Sequence, residues 1–425
     1  LNWNRISGTE GFYGSVRCYD RMVIGFDEAV RRVVEAAHAL ETERVALSSA
    51  VGRTLAESVA GDLDVPPFDT TAMDGWAVRA ADASAGALLR AVGAVGAGAA
   101  PARPLEPGEA LKVMTGAPLP SGADAVVPVE EAALDGERVR VEKAPKPRAH
   151  VRTRGEVIAK GEKLLEPGRR LSAADLAVAA AAGRSDVRVA RRPRVAVLVT
   201  GDEIVPPHGM PGPAQIRNTN GPLLVAALQA AGAEALDLGV ARDREDALED
   251  AVTGALASGI DALLTTGGVS AGDWDLLPGV LGRLGAEVLF HKVALRPAKP
   301  LLFARLGPAL VFGLPGNPVS TAVAFDMFVR SALRKMTGIS PAGPHFVEAR
   351  LSSPVKNKGP RLALHPARAV HEGVLLTAAP LATKGSHDLA AHARANSLLR
   401  LEPESEFGPG ATVPVFLAHG GSTLG

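Results

Sequence analysis

From residue 194 to residue 266 the chain alternates short apolar runs with longer segments whose apolar positions recur at helical spacing. Residues 194–200 read as a buried strand, 223–231 as a helix ended by Gly232, 235–239 as a strand, 247–258 as a helix and 262–266 as a strand. Strands separated by crossover helices predict a parallel sheet with helices on both faces. In such sheets the ligand lies beyond the carboxyl ends of the strands. The first strand runs into Thr200-Gly-Asp-Glu203, the second into Gly239 and Asp243, and the third into Gly267-Gly268. The residues capable of chemistry therefore gather on one edge.

The flanking regions follow other patterns. Residues 24–40 carry Val30, Val33, Val34 and Ala37 on one helical face and Arg31, Arg32 and Glu35 on the other, and a second helix is expected over 48–60. From 88 to 143 short Val-rich runs are broken by Gly and Pro, with a hairpin expected over 130–142 around Asp135-Gly136. Residues 171–182 predict another helix. After Pro341 the crossover helices stop, and short apolar runs at 374–377 and 397–401 predict a small β-barrel or sandwich. The expected organisation is multidomain α/β. A helical N-terminal domain (22–60 and 147–190) carries an inserted small β domain (61–146), followed by a central parallel-sheet domain (191–340) and a C-terminal β-barrel (341–425).

Composition narrows the function classes. The 425 residues include 46 basic and 46 acidic side chains, so no global field draws the chain to nucleic acid or an anionic membrane. A single cysteine, Cys18, excludes an internal disulfide and any multi-cysteine metal site, as expected in a reducing compartment. No apolar run reaches the roughly 18 residues of a membrane span. A soluble, cytoplasmic protein is expected. Residues 1–21 hold that cysteine and both tyrosines, Tyr13 and Tyr19, without the apolar core of a signal peptide. They read as a tag or upstream extension, with Met22 as the natural start.

Candidate chemistry concentrates between Asp261 and Ser320. Asp261-Ala-Leu-Leu-Thr-Thr-Gly-Gly-Val-Ser270-Ala-Gly-Asp-Trp-Asp275 is an apolar strand, a small-residue turn and two carboxylates ahead of a helix. Glycines let the backbone approach a ligand closely, and a helix N-terminus favours negative charge. Asp273 and Asp275 contradict a bare phosphate site unless a cation intervenes, so Mg²⁺ is expected. Lys292, Arg296 and Lys299 supply cations, and Gly313-Leu-Pro-Gly-Asn-Pro-Val-Ser320 forms a stiff turn into another helix. A lone Gly-Gly-x-Ser would read as a tight strand-to-helix connection, but three such devices within sixty residues together predict a polyanion pocket. A second candidate is Asp74, presented beside Met73 and Trp76 after the extended Pro66-Pro67 approach, where a plain turn is the alternative. The Pro/Gly-rich loop after Lys112 carries the hydroxyl of Thr115. The arginines between 184 and 194 read as a solvated linker.

Taken together, the motifs resemble the molybdopterin molybdenumtransferases, the MoeA family, which is related to the E domain of gephyrin. The resemblance runs from about Gly25 to the C-terminus. Its most specific parts are Pro67-Phe-Asp-Thr-Thr-Ala-Met-Asp-Gly-Trp-Ala77, Met114-Thr-Gly-Ala-Pro118, Thr200-Gly-Asp-Glu203, Gly267-Gly-Val-Ser-Ala-Gly272 and Gly313-Leu-Pro-Gly-Asn-Pro-Val-Ser320. It implies that the central sheet is a molybdopterin-binding domain. It implies conversion of adenylylated molybdopterin and molybdate to molybdenum cofactor with release of AMP, using Mg²⁺, in a homodimer supplied by a molybdopterin adenylyltransferase. It also implies a site shared between subunits, with Asp74 and Thr115 from one facing Glu203, Asp243, Asp275, Lys292 and Arg296 from the other. Glu203, Asp243 and Asp275 are the implied metal ligands. Gly267, Gly268 and Ser270 would donate to the pterin phosphate, while Pro315, Asn317 and Ser320 shape the pterin end. Lys292, Arg296, Lys299, Arg361 and Ser386 would hold the oxyanion.

The sequence departs from the family pattern in three places. Gly155-Glu156-Val157 stands where the family has Gly-Glu-Asp, and Arg296-Pro-Ala-Lys299-Pro where it has Lys-Pro-Gly-Lys-Pro. Trp76 and Thr71 replace a tyrosine and a serine. Two rival functions remain: a molybdopterin adenylyltransferase, disfavoured by the domains before Arg194 and after Pro341, and a non-catalytic molybdopterin-binding scaffold, disfavoured by the retained carboxylates.

Overall fold

A computed structural model describes residues 23–268 and 276–418, so the expectations for residues 1–21, with Cys18, Tyr13, Tyr19 and the Met22 start, lie outside the described residues. The chain divides into two compact units, one comprising Leu1–Glu43 with Ala190–Gly425 and the other Arg44–Val189.

The first unit is built on a six-stranded sheet in the order Glu234–Ala241, Arg194–Thr200, Ala262–Thr266, Ala309–Leu314, Leu302–Leu306, Glu287–His291. Alternation along the Arg194–Thr200 strand shows why it sits centrally. Val195 and Val197 enter one apolar core with Leu224, Leu228, Phe303, Phe312 and Phe328, while Ala196 and Leu198 enter another with Leu248, Val252, Leu277 and Leu281. Helices therefore cover both faces, as a strand apolar on both sides requires. The first four strands run parallel, but Leu302–Leu306 runs antiparallel to Ala309–Leu314, and Glu287–His291 antiparallel to Leu302–Leu306. The three strands expected to pair in parallel do so, and the sheet continues at its far edge with two antiparallel strands that the alternation before residue 266 did not reach. Only Gly307, at φ 57°, and Pro308 separate Leu302–Leu306 from Ala309–Leu314, and so short a loop can return the chain only antiparallel.

The helix at the start of the described chain spans Phe26–Ala36 and belongs to this unit, burying Phe26, Ala29, Val33 and Ala36. Phe26 meets Phe328 edge-on at 5.9 Å, and Arg31 bridges Glu28 and Glu35 on the wet face. Beyond residue 345 five strands, Leu362–Glu372, Leu375–Pro380, Phe346–Leu351, Thr412–Leu417 and Ser397–Leu401, pair in a ring that closes between the first and the last. This is the expected barrel. Its core mixes Leu and Val with Ala349, Ala363, Ala367, Ala369 and Ala378, small side chains that a ring of so few strands can hold.

The second unit contains a six-stranded sheet ordered Ala125–Pro128, Gly75–Val78, Glu109–Val113, Leu88–Val95, Arg138–Val141, Ala132–Asp135. The expected hairpin is present, with Gly136 at φ 62° in its turn. A Cβ on Gly75 would fall 2.2 Å from the Val127 carbonyl oxygen, so only glycine lets that strand close on its neighbour directly after Asp74. The expected helix over 48–60 does not form. Gly52 takes φ 75°, and the amides of Gly52, Leu55 and Ala56 bond to the carbonyls of Leu171, Arg169 and Arg188. Long-range pairing has displaced the local helix, leaving a short 3₁₀ turn at Leu47–Ser49 and a strand at Val59–Ala60. The helix expected over 171–182 is observed as Ala173–Ala181, started by a reciprocal Ser172–Asp175 capping box. Residues 44–60 and 147–189 thus hold one α-helix among short strands, not a helical bundle. Among the described residues no helix is long and apolar enough to cross a membrane.

Candidate functional site

At the carboxyl edge of the first unit's sheet lies a cleft of about 1000 Å³, bounded on its far side by barrel residues. Its floor depends on Gly267, which ends the Ala262–Thr266 strand at φ 93°. A Cβ there would sit 2.7 Å from the Thr200 carbonyl oxygen and 2.8 Å from the Thr200 hydroxyl. Glycine is therefore required for the close approach of the two strand ends. Gly201 serves Glu203 in the same way, since a Cβ on Gly201 would collide with the Glu203 carboxylate at 2.5 Å.

The cations come from the opposite wall. Arg296 pairs through its backbone with Ala363 of the barrel, and the Arg361 guanidinium donates to the Leu295 carbonyl at 3.0 Å. Arg296, Lys299, Arg361, Lys356 and Lys384 all line the cleft. Fully buried Asn357 donates to the carbonyls of Arg361, Leu401 and Glu402 and so fixes the loop that presents Arg361. The Asn317 side chain donates to the Ser386 hydroxyl at 3.0 Å, joining two expected site residues. Thr321 clamps the turn before it by donating to the Pro315 carbonyl at 2.5 Å.

Of the residues expected from sequence, Glu203, Gly267, Arg296, Lys299, Pro315, Asn317, Ser320, Arg361 and Ser386 line this one cleft. Gly268 and Asp243 line a small adjoining hollow that shares Thr200 and Gly267 with it. Lys292 takes φ 78° and bonds through its backbone to Ile24 and Leu301, and is not among the cleft-lining residues. Ser270, Asp273 and Asp275 lie outside the described residues. Among the described residues no group of three or more His, Cys, Asp or Glu gathers as a metal-ligand set. Glu203 lines the cleft and Asp243 the adjoining hollow, and carboxylate oxygens are hard donors of the kind that suits Mg²⁺.

Asp74 and Thr115 belong to the second unit and meet there. The Asp74 Oδ1 accepts from the Thr115 amide at 2.7 Å and from its hydroxyl at 2.8 Å. These two bonds, the amide first, hold the exposed carboxyl below its ordinary pKa, so Asp74 stays ionised. Thr71 keeps the loop in place, its hydroxyl donating to the Met114 carbonyl at 2.6 Å. At the departure from the family pattern, Val157 is exposed and Glu156 accepts from the Thr153 amide at 2.7 Å, capping its own turn.

Sequence reasoning missed His365, Asn357, Asn220, Thr266, Lys356 and Lys384. His365 lines the cleft with its Nε2 3.0 Å from the Leu381 carbonyl. Burial pushes its pKa down, and the Arg296 charge adds to the effect against the opposing Leu381 bond, so the ring is neutral at pH 7. Its signal lay only in its position inside a barrel strand, four residues after Arg361.

The arrangement can bind an extended ligand with anionic groups at one end, beside carboxylates able to hold a divalent cation. Residues 24–183 match the MoeA N-terminal region (domain I and II), 196–335 a probable molybdopterin binding domain, and 348–418 the MoeA C-terminal region (domain IV). Curated relatives include the molybdopterin molybdenumtransferase of Bacillus subtilis, 36% identical with 93% of this chain and 94% of that protein covered. That of Staphylococcus epidermidis is 31% identical, with 95% and 97% covered. That of a Nostoc species is 38% identical over 76% of each. A solved structure of the molybdopterin biosynthesis MoeA protein from Pyrococcus horikoshii superposes with a TM-score of 0.80 at 33% identity, covering 93% of this chain and 99% of that one.

Proposed function

The chain belongs to the molybdopterin molybdenumtransferase family, and from that premise we propose that it is the transferase that inserts molybdate into adenylylated molybdopterin with release of AMP. The observation that carries this reading is the single cleft in which Glu203, Arg296, Lys299, Asn317, Arg361 and Ser386 converge. Arg361 and Arg296 offer planar forks to oxyanion or phosphate oxygens and Lys299 a point charge, while Ser386, held by Asn317, adds a hydroxyl. The ligands for Mg²⁺ would be Glu203 and Asp243, with Asp275 as a third, and the ion would neutralise phosphoanhydride charge. Neutral His365 leaves the positive charge of the cleft to the arginines and lysines. Asp74, kept ionised by Thr115, cannot donate a proton at neutral pH. Its role is to accept a hydrogen bond or to steer a cation. The proposal includes a homodimer in which Asp74 and Thr115 of one subunit complete the site of the other, acting in the cytoplasm on substrate delivered by a molybdopterin adenylyltransferase.

The test is reconstitution. Protein incubated with adenylylated molybdopterin, Mg²⁺ and molybdate should yield a product that activates a molybdenum-free apoenzyme, and omission of molybdate should abolish it. A protein that binds the substrate tightly yet never yields an activating product is a scaffold, and the reading fails.

A further inference from the structure

Among the buried side-chain polar atoms that have no hydrogen-bond partner in the described residues are the Asn220 oxygen and the Thr266 hydroxyl, both at the cleft. Asn220 is 7% exposed and Thr266 1%, and both line the large cleft. Asn220 also lines an adjoining hollow of about 480 Å³. The orientation of its amide follows from chemistry. One end lies 2.8 Å from the Gly316 carbonyl oxygen, which can only accept, so the nitrogen faces Gly316 and the oxygen is the atom left unpartnered. The two groups belong to one neighbourhood, because a Cβ on Gly316 would come within 4.0 Å of the Gly267 Cα, and Thr266 immediately precedes Gly267.

Native proteins seldom leave buried polar atoms unpaired, and a ligand is one partner that completes them. Their identity restricts that ligand. Molybdate and fully ionised phosphate present acceptors only, which the Asn220 oxygen would repel. A heterocycle edge carrying an N–H beside an acceptor atom satisfies both groups. We propose that Asn220 binds an N–H donor of the pterin ring system, with the Thr266 hydroxyl serving an adjacent atom of the same edge. This end of the cleft then reads the heterocycle, while Arg296, Lys299 and Arg361 hold the anionic parts. The assignment rests on molybdopterin being the ligand, and it commits to the pterin over the adenine of the adenylylated substrate.

Direct binding separates these possibilities, with molybdopterin, AMP and molybdate as three probes of each protein. Asn220→Ala should weaken molybdopterin roughly tenfold, the scale of one well-placed hydrogen bond, and leave AMP and molybdate unchanged. An unchanged molybdopterin affinity overturns the proposal, as does a loss confined to AMP. A loss shared by all three probes also overturns it, because it marks collapse of the Gly316 loop. Thr266→Val guards against misfolding, since deleting an unpartnered buried hydroxyl leaves the fold as stable or more so. It should weaken molybdopterin severalfold and nothing else, and full affinity in that variant removes Thr266 from the site. Wild-type protein that binds molybdate but no molybdopterin would instead refute the proposed function.

Discussion

The two units handle their functional groups in opposite ways. In Arg44–Val189 the chemistry sits on the surface, with exposed Asp74 tuned by its own neighbour Thr115 and little else depending on it. In the unit that contains the α/β sheet, the cleft is inseparable from the fold. Gly267 permits two strands to close, Asn357 holds the Arg361 loop, and backbone pairing carries Arg296. Activity and stability are therefore coupled in the cleft and separable at Asp74. A surface carboxylate can be removed without structural cost, whereas cleft residues cannot all be altered without disturbing the sheet.

The sharpest break of that comparison is Asp74→Ala. Turnover should fall on the order of 10²–10³-fold, as for loss of a preorganised electrostatic group, with an unchanged melting temperature. A variant that retains activity would remove Asp74 from the mechanism. Gly267→Ala should do the reverse and unfold before it informs on chemistry. With the Thr200 carbonyl oxygen 2.7 Å and its hydroxyl 2.8 Å from the new Cβ, a loss of about 2–4 kcal/mol is expected, read as a lowered denaturation midpoint. Stability within 0.5 kcal/mol or so of wild type would show that the strand ends can separate.

Much of this was legible beforehand. The Arg194–Thr200 and Ala262–Thr266 strands match their expected bounds, because an unbroken apolar run flanked by Gly or charge has few other readings. Nine expected site residues meet in one cleft because Gly, Pro and charged side chains cluster after strand ends in the sequence itself. What stayed hidden depended on distant partners. The 48–60 segment has helical spacing but gives its amides to residues 169, 171 and 188. Asn220 resembles an ordinary residue ahead of a helix, and only the Gly316 carbonyl reveals which of its atoms is left over. The antiparallel edge of the sheet turned on Gly307, which reads as one more loop glycine.

Smaller effects sharpen the comparison further. Glu109, 2% exposed in the second unit, is gripped by Arg103 at 2.8 Å, by the Glu106 amide and by Arg90, which lowers its pKa from 4.5 to about 2. Its folded pKa lies below its unfolded value, so its stabilisation is fully present above pH 4.5 and is lost as pH falls toward about 2. Glu109→Gln should therefore lower the melting temperature at neutral pH and flatten its decline across that acid window. An unaltered acid profile would show that the pair contributes nothing. Ala298 gives the smallest effect. It holds φ 80°, a conformation that glycine adopts more readily, so Ala298→Gly should stabilise by about 1 kcal/mol at most, relief of the left-handed backbone being partly offset by lost burial and greater freedom of the unfolded chain. A clear loss of stability would show that the methyl contact outweighs the strain.

The most direct measurement of the central claim is AMP release from adenylylated molybdopterin and Mg²⁺, with and without molybdate. Release should rise with molybdate concentration and be lost in Asp74→Ala. Release that ignores molybdate, or requires added ATP, would contradict it.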